Sequence, residues 1–150
     1  MLSNKNRKEG NVPVYGGNGI TGYHNEAFIH EPTIVIGRVG EYCGSVHLTE
    51  SEAWVTDNAL YATAFLIDID QKFLLYSLRQ ANLNQYANRT GQPNISQANI
   101  ANVGIPCPNI DTQRRIIKEV ESYEKYIQTA EQIIASCYAH KQAILDKYLK

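Results

Sequence analysis

Apolar and polar positions along the chain fall into two regions with different periods. In the first, Thr33-Ile34-Val35-Ile36 is a short β-branched run bounded by Pro32 and Gly37, which predicts a buried strand. Cys43–Leu48 and Ala59–Ile69 are further strand candidates, the second carrying Leu60, Tyr61, Phe65 and Ile67. Phe73, Leu74, Leu78 and Leu83 recur at helical spacing, so Gln71–Leu83 predicts an amphipathic helix with Asp70 as its N-cap. Ser96 is placed to cap a short helix through Ala101, and Val103-Gly104-Ile105 predicts one more strand. Short strands, turns and helices in this order predict an α+β domain built on an irregular mixed β-sheet.

The second region has the period of one long helix. All 10 glycines and all 5 prolines lie at or before Pro108. Asp111 or Thr112 is the expected cap of a helix running through Leu149. Alternating steps of four and three pick out Ile116, Val120, Tyr123, Ile127, Ala130, Ile134, Cys137, Lys141, Ile144 and Tyr148. All but Lys141 are apolar or aromatic, the seam of a coiled coil. Ile117, Ile133 and Leu145 widen the stripe. Such a helix spans roughly 55 Å, longer than a domain of this size is wide. Much of the stripe therefore calls for a partner helix from another chain, the alternative being a helix folded back on its own domain. The expected organisation is a recognition domain over 1–110 and a dimerisation and spacer helix over 111–150.

Composition narrows the function. Hydrophobic residues make up 43% and charged residues 19% of the chain, a globular balance. No apolar run reaches the roughly 20 residues of a membrane span, and the polar stretch Met1–Lys8 predicts no secretory signal. Cys43, Cys107 and Cys137 are too far apart for a Cys-x-x-Cys metal site, so a reducing cytoplasm is expected. A net charge of −1 argues against a free-standing DNA binder that relies on a strongly basic surface.

Two motifs invite a catalytic reading, and neither sustains it. Gly17-x-Gly19-x-x-Gly22 has the spacing of a dinucleotide fingerprint. That site needs a strand before it and a helix after it, and Tyr23-His24-Asn25-Glu26 has no helical periodicity. A tight glycine turn is the expected structure. Asp68-x-Asp70-x-Lys72 resembles a fragment of a Mg²⁺-dependent nuclease site, but it sits where a strand yields to a helix and Asp70 is placed to cap. His24, His30, His47 and His140 show neither metal spacing nor a paired nucleophile. No metal, cofactor or catalytic residue is expected.

Several stretches are more specific in combination. Val12-Pro13-Val14-Tyr15-Gly16-Gly17-Asn18-Gly19-Ile20-Thr21-Gly22-Tyr23 is followed by Glu31-Pro32-Thr33-Ile34-Val35-Ile36-Gly37-Arg38-Val39-Gly40. Cys43-Gly44-Ser45-Val46, Thr56-Asp57-Asn58-Ala59-Leu60 and Gly91-Gln92-Pro93-Asn94-Ile95-Ser96 come next. Ile105-Pro106-x-Pro108 closes the domain and Gln113-x-x-Ile116 opens the helix. In this order and spacing the chain resembles the specificity (S) subunits of type I restriction-modification enzymes. The resemblance implies target recognition domains that each read half of a split double-stranded DNA site, separated by long helices that act as rulers. It implies no catalytic residues, with methylation and cleavage left to methyltransferase (M) and restriction (R) subunits. Typical members have two recognition domains and two helices. This chain has one of each and resembles a half-subunit that a homodimer would complete, with only eleven residues before Val12.

Phosphate contacts position a protein on DNA, and base-edge contacts specify sequence. Lys5, Arg7, Lys8, Arg38, Arg79 and Arg89 suit the first task. Asn18, Asn58, Gln85, Asn88, Arg89, Gln92 and Asn94 lie on predicted loops and suit the second, since Asn and Gln pair with adenine and Arg with guanine. Gly17, Asn18, Arg38, Asp57 and Asn58, part of the shared motifs, are expected to be scaffold or backbone contacts. The stretch Asn82–Asn94 is the expected base reader. Ile116, Val120, Tyr123, Ile127, Ile134, Ile144 and Tyr148 are the expected dimerisation residues. The alternative function is a truncated remnant acting only as a coiled-coil interaction module.

Overall fold

The computed structural model describes residues 7–149, so Lys5 lies outside the described residues. The architecture is α+β, as the hydrophobic pattern predicts. It divides into two units, Met1–Ile110 and Asp111–Lys150.

The first unit holds two small sheets. In one, β1 (Val12–Gly16) pairs antiparallel with β2 (Gly19–His24) and parallel with β5 (Trp54–Val55). In the other, β3 (Ile34–Gly37) lies between β4 (Val46–Leu48) and β6 (Ala59–Tyr61), antiparallel to both. The β-branched run predicted as a buried strand is thus the central strand of its sheet, with Ile34 and Val35 at most 2% exposed. Pro13, which has no N–H to give a ladder, pairs with Tyr23 immediately before a register break in β1.

Three helical elements complete the unit: α1 (Gln71–Gln80), a 3-10 turn (Leu83–Tyr86) and α2 (Gln97–Ile100). Asp70 caps α1 as expected, its side chain accepting from the N–H groups of Lys72 and Phe73. Ser96 caps α2 in a reciprocal box with Asn99. The main core joins Ile34, Cys43, Val46, Leu83 and Ile95, with Leu74, Leu75 and Leu78 of α1 packed against it. Tyr15, Val35, Ala53, Val55 and Ala59 form a second cluster.

Several expected elements end early. Residues 43–48 are a strand only from Val46, because Glu41–Gly44 form a turn. The strand expected over Ala59–Ile69 stops at Tyr61; Ala62 N–H still donates to the Ile34 carbonyl at 2.9 Å, and β3, four residues long, supplies no rung beyond it. Leu66 and Ile67 are left 96% and 59% exposed on the loop that follows. The helix expected to reach Leu83 ends at Gln80, where Asn82 turns left-handed at φ 47°. Val103-Gly104-Ile105 pairs with no strand. The second unit is one helix, α3 (Ile110–Leu149), so Asp111 stands in its first turn rather than capping it.

Candidate nucleic-acid interface

Two pairings gather the loop residues at one end of the first unit. Because β1 and β5 run parallel, the chain leaves both at the same end, and Thr56 N–H donates to the Tyr15 carbonyl at 2.9 Å. The β1–β2 turn at Gly17-Asn18 and the β5–β6 turn at Asp57-Asn58 are therefore neighbours. Segment 37–45 threads between them and the loop after α1. Arg38 N–H donates to the Asn58 carbonyl at 2.8 Å, and Ser45 Oγ donates to the Gly17 carbonyl at 3.2 Å. Gly37 packs on the Gly17 carbonyl so closely that any Cβ there would strike it. The Gly-rich stretch that mimics a dinucleotide fingerprint is thus a hairpin, with a strand and not a helix after it.

The same segment receives residues 84–95. Gly40 N–H donates to the Pro93 carbonyl at 2.9 Å and Ile95 N–H to the Arg38 carbonyl at 2.8 Å. Asn88 and Asn94 exchange backbone hydrogen bonds at 2.8 and 3.0 Å, closing a small loop over residues 89–93. Inside it, Asn88 Oδ1 accepts from Thr90 N–H at 2.8 Å and Asn94 Nδ2 donates to the Gln92 carbonyl at 3.1 Å. Both asparagine side chains thus brace the loop, while Arg89 and Gln92 are exposed on it. Gln85 is exposed, and its side chain folds back along its own turn to donate to the Ala81 carbonyl at 2.9 Å.

Arg79 reaches the same region from the last turn of α1, its Nε donating to the Val46 carbonyl at 3.0 Å. It lines a cleft with Glu41–Val46 and Asn82–Asn84. Burial, then the Arg79 charge, holds His47 below its ordinary pKa. The structure thus brings together Asn18, Arg38, Asn58, Arg79, Asn88, Arg89, Gln92 and Asn94 at one end. The side chains of Asn18, Arg38 and Asn58 are exposed and make no hydrogen bond among the described residues. Arg7 and Lys8 stand apart, on the flank of β2. Arg7 donates to the Thr21 carbonyl and hydroxyl, and Lys8 lies 3.9 Å from Glu26.

Sequence reasoning passed over Asn84. Its Nδ2 donates to the carbonyls of Cys43 at 2.7 Å and Glu41 at 3.2 Å, and its Oδ1 accepts from Arg89 at 2.6 Å. The available signal was only its place in an Asn- and Gln-rich stretch. Among the described residues, no group of three His, Cys, Asp or Glu side chains is placed to hold a metal ion. No helix there is long and apolar enough to cross a membrane.

On α3, Ile116 and Val120 are half-buried, while Tyr123, Ile127, Ile134, Ile144 and Tyr148 are each more than half exposed. An apolar stripe of that length presented to water is a feature of interaction surfaces.

Comparison with known proteins matches this chain to longer ones. The EcoprrI type I restriction enzyme specificity subunit of Escherichia coli is 28% identical over 138 residues, which cover 89% of this chain and 34% of that protein. The crystal structure of a type I restriction-modification system S subunit from M. genitalium has a TM-score of 0.70 and 21% identity, over 89% of this chain and 37% of that one. The second likeness is one of fold, and the chain spans about a third of the length of both proteins. The model of the type I restriction modification DNA specificity domain matches residues 1–137, and the chain belongs to that family.

Proposed function

We propose that this chain is a non-catalytic DNA sequence-specificity subunit of a type I restriction-modification system, acting in the cytoplasm. Its first unit reads one half of a split double-stranded site. Its helix pairs with that of a second copy and carries the methyltransferase and restriction subunits. The observation that carries this reading is the gathering of Asn18, Arg38, Asn58, Arg89 and Gln92, from four separate loops, at one end of the unit. Arg is suited to phosphate or guanine, and Asn and Gln to adenine.

The test is selection from a randomised duplex pool by the full chain together with a methyltransferase subunit. A twofold dimer presents the same reader twice, so the enriched DNA should hold one short half-site in two inverted copies around an unread gap. Removing one heptad from α3, about 10 Å or three base pairs, should shorten the gap and leave the half-sites unchanged. Two unrelated half-sites, or one continuous site, would refute the homodimer. A dimer that enriches no sequence would leave only a coiled-coil interaction module.

A further inference from the structure

We infer that Asn84 is a specificity-determining positioning residue, which holds the Arg89 guanidinium outward as a fixed reader of guanine. The inference rests on the DNA-reading function proposed above. It adds the base that is read and the residue that makes the reading specific.

The argument starts in the core. Leu83 is 1% exposed among Ile34, Cys43, Val46 and Ile95, and it begins the short 3-10 turn whose next residue is Asn84. The turn is further pinned at Gly44, where an added Cβ would lie 2.5 Å from Asn84 N and 2.8 Å from the Leu83 carbonyl carbon. Asn84 therefore stands on a rigid platform rather than on a free loop.

Its side chain has no choice of orientation. Three groups face it from segment 41–43: the carbonyl oxygens of Cys43 and Glu41, at 2.7 and 3.2 Å, which accept only from the amide nitrogen, and Cys43 Sγ, which accepts weakly from the same nitrogen at 3.7 Å. With Nδ2 committed inward, Oδ1 must face out. An outward acceptor beside an arginine selects one placement of the guanidinium, and Arg89 NH2 donates to it at 2.6 Å. The other Arg89 donors meet no acceptor among the described residues. One complete donor edge therefore remains for the O6 and N7 atoms of a guanine. Arg89 also sits at the start of the loop closed by Asn88 and Asn94, so its backbone is fixed as well. An arginine held this way gives up little rotamer freedom on binding, and what Asn84 contributes is that saving.

The experiment is the duplex-pool selection with the full chain and a methyltransferase subunit, followed by titration of the selected site and of variants carrying each other base at one pair. The wild type should prefer guanine at one position of the half-site. Arg89→Ala should reduce that preference about 5- to 150-fold. Arg89→Lys keeps the charge and can still donate to guanine but lacks the planar fork that Asn84 Oδ1 holds, and should lose part of the preference. Asn84→Ala should reduce it about 2- to 10-fold, with the rest of the half-site unchanged. Combining Asn84→Ala with Arg89→Ala should cost no more preference than Arg89→Ala alone, because the asparagine acts through the arginine.

An equal loss of affinity for every sequence in Asn84→Ala would mean a purely structural role and overturn the inference. So would additive losses in the double variant, or guanine preference retained by Arg89→Ala. Those outcomes leave the DNA-reading function standing. A wild type that enriches no sequence overturns that function and this inference together.

Discussion

Gly44 packs against the turn that follows α1, and its replacement by alanine can be costed from the structure. Gly44 and Gly40 have the same backbone angle, φ +89°, in the same turn, and differ in surroundings. A Cβ on Gly40 meets nothing within 4 Å, whereas one on Gly44 would come within 2.5 Å of Asn84 N and 2.8 Å of the Leu83 carbonyl carbon. Gly40→Ala should therefore pay only for the left-handed backbone, about 1–2 kcal/mol. Gly44→Ala adds a backbone collision that no rotamer change relieves, about 1–3 kcal/mol more. Urea unfolding followed by fluorescence of Trp54, the one tryptophan, reports on the first unit and not on the helix. With a slope of about 2 kcal/mol/M, the midpoint should fall by about 0.5–1 M for Gly40→Ala and about 1–2.5 M for Gly44→Ala. Equal shifts would refute the close packing of the Leu83–Tyr86 turn on Gly44, and with it the platform on which Asn84 stands.

Three further outcomes are expected. Ile127→Asp combined with Ile134→Asp should turn an oligomer into a monomer in light scattering while leaving the Trp54 unfolding curve unchanged; a wild-type mass near 16.9 kDa at micromolar concentration would refute pairing through the stripe. Residues 1–110 hold seven basic and nine acidic side chains, so binding by the chain alone should be weak. Binding with a methyltransferase subunit should fall by about 0.9 in log K per log unit of salt for each phosphate contacted, and nanomolar affinity of the isolated chain in physiological salt would count against this. Burial and Arg79 lower the His47 pKa from 6.5, so its neutral form is favoured by folding. Its contribution to stability is present above pH 6.5 and fades as pH falls through the lower folded value. His47→Gln should flatten the loss of urea midpoint below pH 6.5, and an unaltered profile would refute the assignment.

The parts of the fold legible in sequence are those fixed by local chemistry. The run Thr33–Ile36 is β-branched and bracketed by Pro32 and Gly37, and it became the central strand β3. Asp70 and Ser96 cap helices because a cap needs only the residues that follow it. What was misread depends on partners. Phe65 and Ile67 carry strand propensity, but a strand extends only as far as its neighbour, and β3 offers no rung past Ile34. Leu83 continued the apolar spacing of α1 and is fully buried, yet it is reached through a left-handed Asn82 and a separate turn. Apolar spacing alone does not reveal that break.

The candidate site could be read from sequence as a list of residues and not as an arrangement. That Asn18, Arg38 and Asn58 belong together follows from the parallel pairing of Val14 and Tyr15 with Trp54 and Val55, a contact across forty residues. Nothing near any of the three announces it. The asparagines after α1 divide by role in a way that composition hides. Asn84, Asn88 and Asn94 each spend side-chain groups on backbone atoms, building the loop, while Arg89 and Gln92 keep donor groups facing solvent. Bracing residues and solvent-facing residues are thus separate sets within eleven positions. Substitutions at Arg89 or Gln92 remove no hydrogen bond that shapes the loop backbone, so under the DNA-reading function proposed above they should change the bases preferred while the loop keeps its shape. A change at Asn88 or Asn94 would instead remove a hydrogen bond inside the loop and loosen every contact made from it, although the backbone pair that closes the loop remains.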